Sequence, residues 1–139
     1  MTKLNIDYFI RCIATLEKAF NALNEQPDDS DLYDIYRAAC VKEFEIILEQ
    51  AGKLLKKCLK PYFATPKQAD QLTFKDIFRT AAKHDLISLE ESERWLIYRD
   101  NRNSTAHDYG VSFADETLTL LPQFILDATK ISDVIKNQS

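Results

Sequence analysis

"LYDIYRAACVKEFEIILEQAGKLLKKCLK", Leu32 to Lys60, contains no proline and a single glycine, Gly52. Within it Ile35, Ala39, Phe44, Ile47, Leu48, Ala51, Leu55 and Leu59 recur at helical spacing, which predicts one long helix with a buried stripe. Pro61 stops it, because a proline ring clashes with the preceding turn and offers no N–H. Gly52 costs such a helix about 1 kcal/mol relative to alanine. Its retention inside the helix predicts close packing against a neighbour.

The flanking sequence has the same character. Leu4, Tyr8, Ile13, Leu16, Phe20 and Leu23 predict a first helix over about residues 3–25. "EQPDDSD" then interrupts it, with Pro27 as breaker and Ser30 or Asp31 as the next cap. "PYFATPKQADQ", residues 61–71, reads as the main connecting loop. "TFKD" (Thr73–Asp76) forms a capping box with a short acid and opens a short helix to about Lys83. "SLEE" (Ser88–Glu91) repeats the device ahead of a helix starting near Leu89. A last helix, about Ala114–Lys136, carries Leu118, Leu121, Ile125, Ala128, Ile131 and Ile135 inward, and Pro122 must kink or divide it. No β-alternation or internal repeat occurs. The expected fold is all-α: a single domain, 1–139, forming an antiparallel up-and-down bundle of four long helices plus a short one.

Composition bounds the function. The chain has 139 residues, with 45% apolar and 29% charged side chains, a globular balance. The three cysteines, Cys12, Cys40 and Cys58, are far apart and sit among apolar residues. No CxxC pair or His/Cys cluster exists, so no metal or cofactor is called for, and a reduced, cytoplasmic compartment is expected. The first helix is broken by charges, unlike a signal peptide, and no stretch is long enough to span a membrane. The net charge of −4 excludes a broad nucleic-acid-coating surface. Two local basic clusters remain: Lys53, Lys56, Lys57 and Lys60, read as a solvated helix face, and Arg94, Arg99 and Arg102.

The chemistry concentrates in "DNRNSTAHDYG", Asp100–Gly110. Trp95, Tyr98, Arg102 and Thr105 share one helix face. Arg102 on that face needs a partner, either a carboxylate of the bundle or a phosphate suited to its planar fork. On a regular helix Arg102 and His107 diverge by about 140°. They converge if the helix unwinds through the weak formers Asn103, Ser104 and Thr105, or if Arg102 of one subunit faces His107 of another. An arginine stabilising phosphoryl oxygens and a near-neutral histidine moving protons amount to metal-free RNA cleavage chemistry. Tyr109 positions substrate or offers a nucleophilic hydroxyl. The structural alternative is a helix-end cap with a surface ion pair. His84 reads as a residue at a helix end, and Trp95, Tyr98 and the phenylalanines as core or dimer contacts.

"RNSTAHDY" fits the R-x-x-x-x-H-x-Y signature of HEPN domains. With "KEFEIILEQAGKLLKKCL", "TFKDIFRTAAKHDLIS" and "ERWLIYRDNRNSTAHDYG", the chain resembles the nucleotidyltransferase substrate-binding proteins over about residues 5–135. The resemblance implies a homodimeric four- or five-helix bundle whose motif lines a cleft near the two-fold axis. It also implies a minimal nucleotidyltransferase as partner. Two roles follow from it: a toxin ribonuclease neutralised when the transferase attaches AMP to the motif tyrosine, or a non-catalytic subunit presenting substrate or nucleotide. Carried over by position, Arg102 and His107 are the catalytic pair, Asn103 the polar residue beside the arginine, and Tyr109 both a substrate contact and the AMP acceptor. The acidic chain favours a defined RNA, such as tRNA, over broad RNA affinity. A helical dimerisation module without chemistry is the third reading.

Overall fold

The Leu32–Lys60 stretch forms the central helix in a computed structural model that describes residues 5–105 and 111–138, without the side chains of 103–105 and 111–113. The order is α1 (Asp7–Asn24), α2 (Asp31–Leu59), a 3-10 turn (Lys60–Tyr62), α3 (Pro66–Asp70), α4 (Phe74–Lys83), α5 (Leu89–Thr105) and α6 (Val111–Gln138). No strand occurs among the described residues. The molecule is an all-α bundle. Its central helix, α2, packs against α1, α4 and α6, while α5 is held between α4 and α6.

Local sequence sets the helix starts. Ser30 Oγ accepts the Tyr33 N–H at 3.0 Å and opens α2. Thr73 and Asp76 form the expected reciprocal box at α4. Ser88 and Glu91 form the other: the Glu91 N–H donates to Ser88 Oγ at 3.0 Å, and the Ser88 N–H donates to Glu91 Oε1 at 3.2 Å. Each such cap satisfies donors that a helix leaves unpaired in its first turn. The start of α1 lies later than the apolar spacing suggests. Asn5 Oδ1 accepts the Asp7 N–H at 3.0 Å, a local turn that competes with helix.

Several expectations need correction. The 61–71 stretch is not plain loop: it holds the 3-10 turn and α3, which opens on a Thr65/Gln68 capping box with Pro66 in its first turn. The signal was T-x-x-Q with proline at the first helical position. α6 begins at Val111 rather than near Ala114, since no breaker separates them, and Pro122 does not divide it. Tyr8 and Ile35, assigned to buried stripes, are 51% and 59% exposed. Ile35 lies two turns before Lys42 and so shares the solvent-facing azimuth of α2. Tyr8 lies about 80° from Leu16, on the flank of a stripe made by Phe9, Cys12, Ile13, Leu16, Ala19 and Leu23.

The core is aromatic at its centre. Phe44 from α2, Phe78 from α4, Trp95 and Tyr98 from α5 and Phe124 from α6 are all buried. Phe78 stacks on Trp95 at 4.9 Å, and Phe124 meets Phe44 at 4.6 Å and Tyr98 edge-on at 4.9 Å. Trp95 and Tyr98 are therefore core residues. Gly52 does mark a close approach, because a Cβ there would stand 3.0 Å from the Phe74 ring. The three cysteines are buried and free. No described helix is long and apolar enough to cross a membrane.

Candidate functional site

The site is set by α5, which is locked at its middle and opens toward a groove at its far end. Asp127 of α6 is fully buried. Arg94 grips it with two bonds, Nε to Oδ2 at 2.8 Å and Nη2 to Oδ1 at 2.9 Å. The Tyr98 hydroxyl donates to Oδ2 at 2.6 Å and Gln123 Nε2 to Oδ1 at 3.1 Å. Burial alone would raise the Asp127 carboxyl, but these donors outweigh it and hold it below the ordinary value. Burial and the neighbouring carboxylate push the Tyr98 phenol well above its ordinary range, so it stays a donor. The hydrogen bonds to Asp127 raise Arg94 further.

The arginines on this helix do not form one basic patch. Arg94 serves Asp127. Arg99 donates to Glu49 at 3.1 Å and lies over the Phe74 ring at 4.9 Å. Arg102, two turns beyond Arg94, lines an open groove of about 320 Å³ with Tyr8 of α1 and Lys42, Glu45, Ile46, Glu49 and Gln50 of α2. Its planar guanidinium and the Lys42 ammonium suit an anion, and the carboxylates of Glu45 and Glu49 restrict how much negative charge enters. A second hollow, about 380 Å³, lies between α5 and α6. Its lining residues Asp100 and Glu116 are acidic and none is cationic, so it does not suit a phosphate.

Of the residues singled out from sequence, Arg102 lies half-buried on α5 at the groove. Asn103 belongs to α5, but its side chain lies outside the described set, and His107 and Tyr109 lie outside the described residues altogether. His84 caps the end of α4 and stacks on Tyr62 at 4.2 Å. Sequence reasoning missed Tyr8, Lys42 and Gln50 as groove residues. The helical phase of α2 carried the signal, since Lys42, Ile46, Glu49 and Gln50 follow at steps of four, three and one. The neighbouring Cys12 thiol, one turn along α1, raises the Tyr8 phenol above its ordinary value. Among the described residues, no group of His, Cys, Asp and Glu is arranged to hold a metal ion.

A family model for nucleotidyltransferase substrate binding protein like domains matches residues 4–137. The chain belongs to this family. The Haemophilus influenzae protein named probable ribonuclease HepT is 25% identical over 143 residues, spanning 99% of this chain and 95% of its own. A solved Haemophilus influenzae structure, described as the fold of a substrate binding domain of a nucleotidyltransferase, superimposes with a TM-score of 0.80. That match covers 95% of this chain and 99% of the solved one at 24% identity, and so establishes the family's fold.

Proposed function

We propose that this nucleotidyltransferase substrate binding protein like chain is a metal-independent ribonuclease, paired with a small nucleotidyltransferase that restrains it. The placement of Arg102 carries the reading. The side chain shares a helix with Arg94, which is locked on Asp127, and lines an open groove beside Lys42. The relative named as a ribonuclease supports the assignment, since the likeness covers nearly all of both chains.

In this reading Arg102 binds the non-bridging oxygens of a phosphodiester and offsets the charge that builds on them in the transition state. His107 takes the proton from the adjacent ribose 2′-hydroxyl as that oxygen attacks phosphorus, and the 5′-oxygen leaves and is protonated. The products are a cyclic phosphate and a 5′-hydroxyl. A symmetric dimer is one way to bring Arg102 and His107 to the same phosphate. The expected unwinding through Asn103, Ser104 and Thr105 is not the way, because α5 stays helical to Thr105. Asn103 and Tyr109 contact the substrate. The transferase silences the site by moving AMP from ATP to the Tyr109 hydroxyl, with pyrophosphate leaving, which places a bulky anion beside the catalytic pair.

The test is cleavage of labelled RNA in EDTA by wild type, Arg102→Ala and His107→Ala. Loss of about 10²–10³ in rate for the arginine variant is expected. RNA left equally intact by all three would overturn the ribonuclease reading. Incubation with the transferase and ATP is expected to add one AMP to Tyr109, read by mass spectrometry; an unmodified Tyr109 removes that part. The carboxylates of Glu45 and Glu49 in the groove favour a second reading, a non-catalytic subunit that presents a nucleotide to the transferase. Intact RNA together with tighter nucleotide binding by the pair than by the transferase alone would select it.

A further inference from the structure

We infer that the outward face of α2 is a track for single-stranded RNA, running from the Arg102 groove through Lys53 and Lys57 toward Lys60. This rests on the ribonuclease reading and assigns its substrate form. The groove is floored by Lys42, Ile46, Glu49 and Gln50 of α2. On a continuous helix from Asp31 to Leu59, Lys53 lies about 40° from Glu49, and Lys57 about 40° beyond Lys53. The groove face and the lysine face are therefore the same face. Lys42, Lys53, Lys57 and Lys60 are all exposed along it.

The span suits a strand. From Lys42 to Lys57 the helix rises about 22 Å, enough for several nucleotides of an extended strand. The stretch Lys53–Lys60 contains no acidic residue, in a chain whose net charge is −4. Helix-dipole compensation accounts for Lys56 and Lys57 in the last turn of α2. It does not reach Lys53 or Lys42. Asp70 engages Lys60 at 3.9 Å, which marks where the track ends against α3.

The occupant follows from charge and shape. Spaced ammonium groups on one convex helix, interrupted at the groove by Glu45 and Glu49, track a flexible backbone. A rigid duplex would bring a second strand's phosphates against those carboxylates. The expected partner is thus an unpaired RNA segment, drawn along α2 until one phosphate reaches Arg102.

The experiment measures fluorescence anisotropy of a labelled single-stranded RNA and of its duplex over a range of salt. It compares wild type, Lys53→Ala/Lys57→Ala and the charge-keeping Lys53→Arg/Lys57→Arg. The alanine pair is expected to flatten the log affinity against log salt slope by about 0.7 per lysine, while the arginine pair restores it. Single strand is expected to bind more tightly than duplex. An unchanged slope in the alanine pair overturns the track, and if wild type still cleaves RNA in an Arg102-dependent manner the ribonuclease reading stands without it. A flattened slope in a protein that cleaves nothing supports the track and removes the ribonuclease reading. Loss of transferase binding with RNA affinity intact would assign this face to an acidic protein surface instead, which also overturns the proposal.

Discussion

Arg94 and Arg102 stand on one helix about 12 Å apart, and their surroundings divide their tasks. Arg94 is closed around a buried carboxylate with two bonds, beside a tyrosine that adds a third. Arg102 lines a groove shared with two other helices. The first arginine fixes the pitch and rotation of α5, and the second inherits that placement at the surface. A binding cation at a groove between helices needs such an anchor, because a misplacement of about 1 Å can cost a factor of about 10² in rate.

The sharpest way to break this contrast is at the anchor. Asp127→Ala leaves the Arg94 charge and the Tyr98 hydroxyl without their acceptor and is expected to cost about 3–5 kcal/mol, read by urea unfolding. The same group predicts a pH dependence. Because the folded carboxyl is held below its ordinary value, its stabilisation is present above the unfolded carboxylate range. It is lost as pH falls through the lowered folded value. An acid titration followed by circular dichroism is expected to show this loss in wild type and not in Asp127→Asn.

The second arginine is expected to behave oppositely. Arg102→Ala is expected to cost less stability than Asp127→Ala, by urea unfolding, while RNA cleavage falls. A loss as large as that of Asp127→Ala would mean that Arg102 is a structural anchor like Arg94. Gly52→Val tests the support under this helix pair, since its side chain meets Phe74, which in turn carries Arg99. A loss of about 1–3 kcal/mol is expected from that crowding, by thermal unfolding. The smallest effect is expected from Ser88→Ala, about 1 kcal/mol for a lost cap at the start of α5. Its cleavage rate should be unchanged at temperatures well below the transition.

The parts of the fold that could be read were those governed by local rules. Helical spacing in α2 and α6, and the boxes at Thr73 and Ser88, depend on neighbours within a few residues and were legible. Trp95 and Tyr98 were legible as buried because they share a stripe. α3 escaped because five residues are too few to show periodicity, although its capping box was present. Arg94 of this helix holds the buried carboxylate of Asp127; partners 33 residues apart leave no local trace of the pairing. Tyr8 escaped as a groove residue because an aromatic on an amphipathic helix reads as core until the third helix of the groove is known. Arg102 could be singled out, and its neighbours on α1 and α2 could not, because the groove is made by packing rather than by adjacency in the chain.

The buried thiols have a practical consequence. Burial pushes Cys40 and Cys58 up to about 11, so at neutral pH about one thiol in ten thousand is ionised. Maleimide chemistry therefore passes them by. A cysteine installed at an exposed position such as Lys57 can carry a dye with little background, and Cys12, buried one turn from Tyr8 of the groove, becomes the native reporter of whether that wall opens when an anion enters.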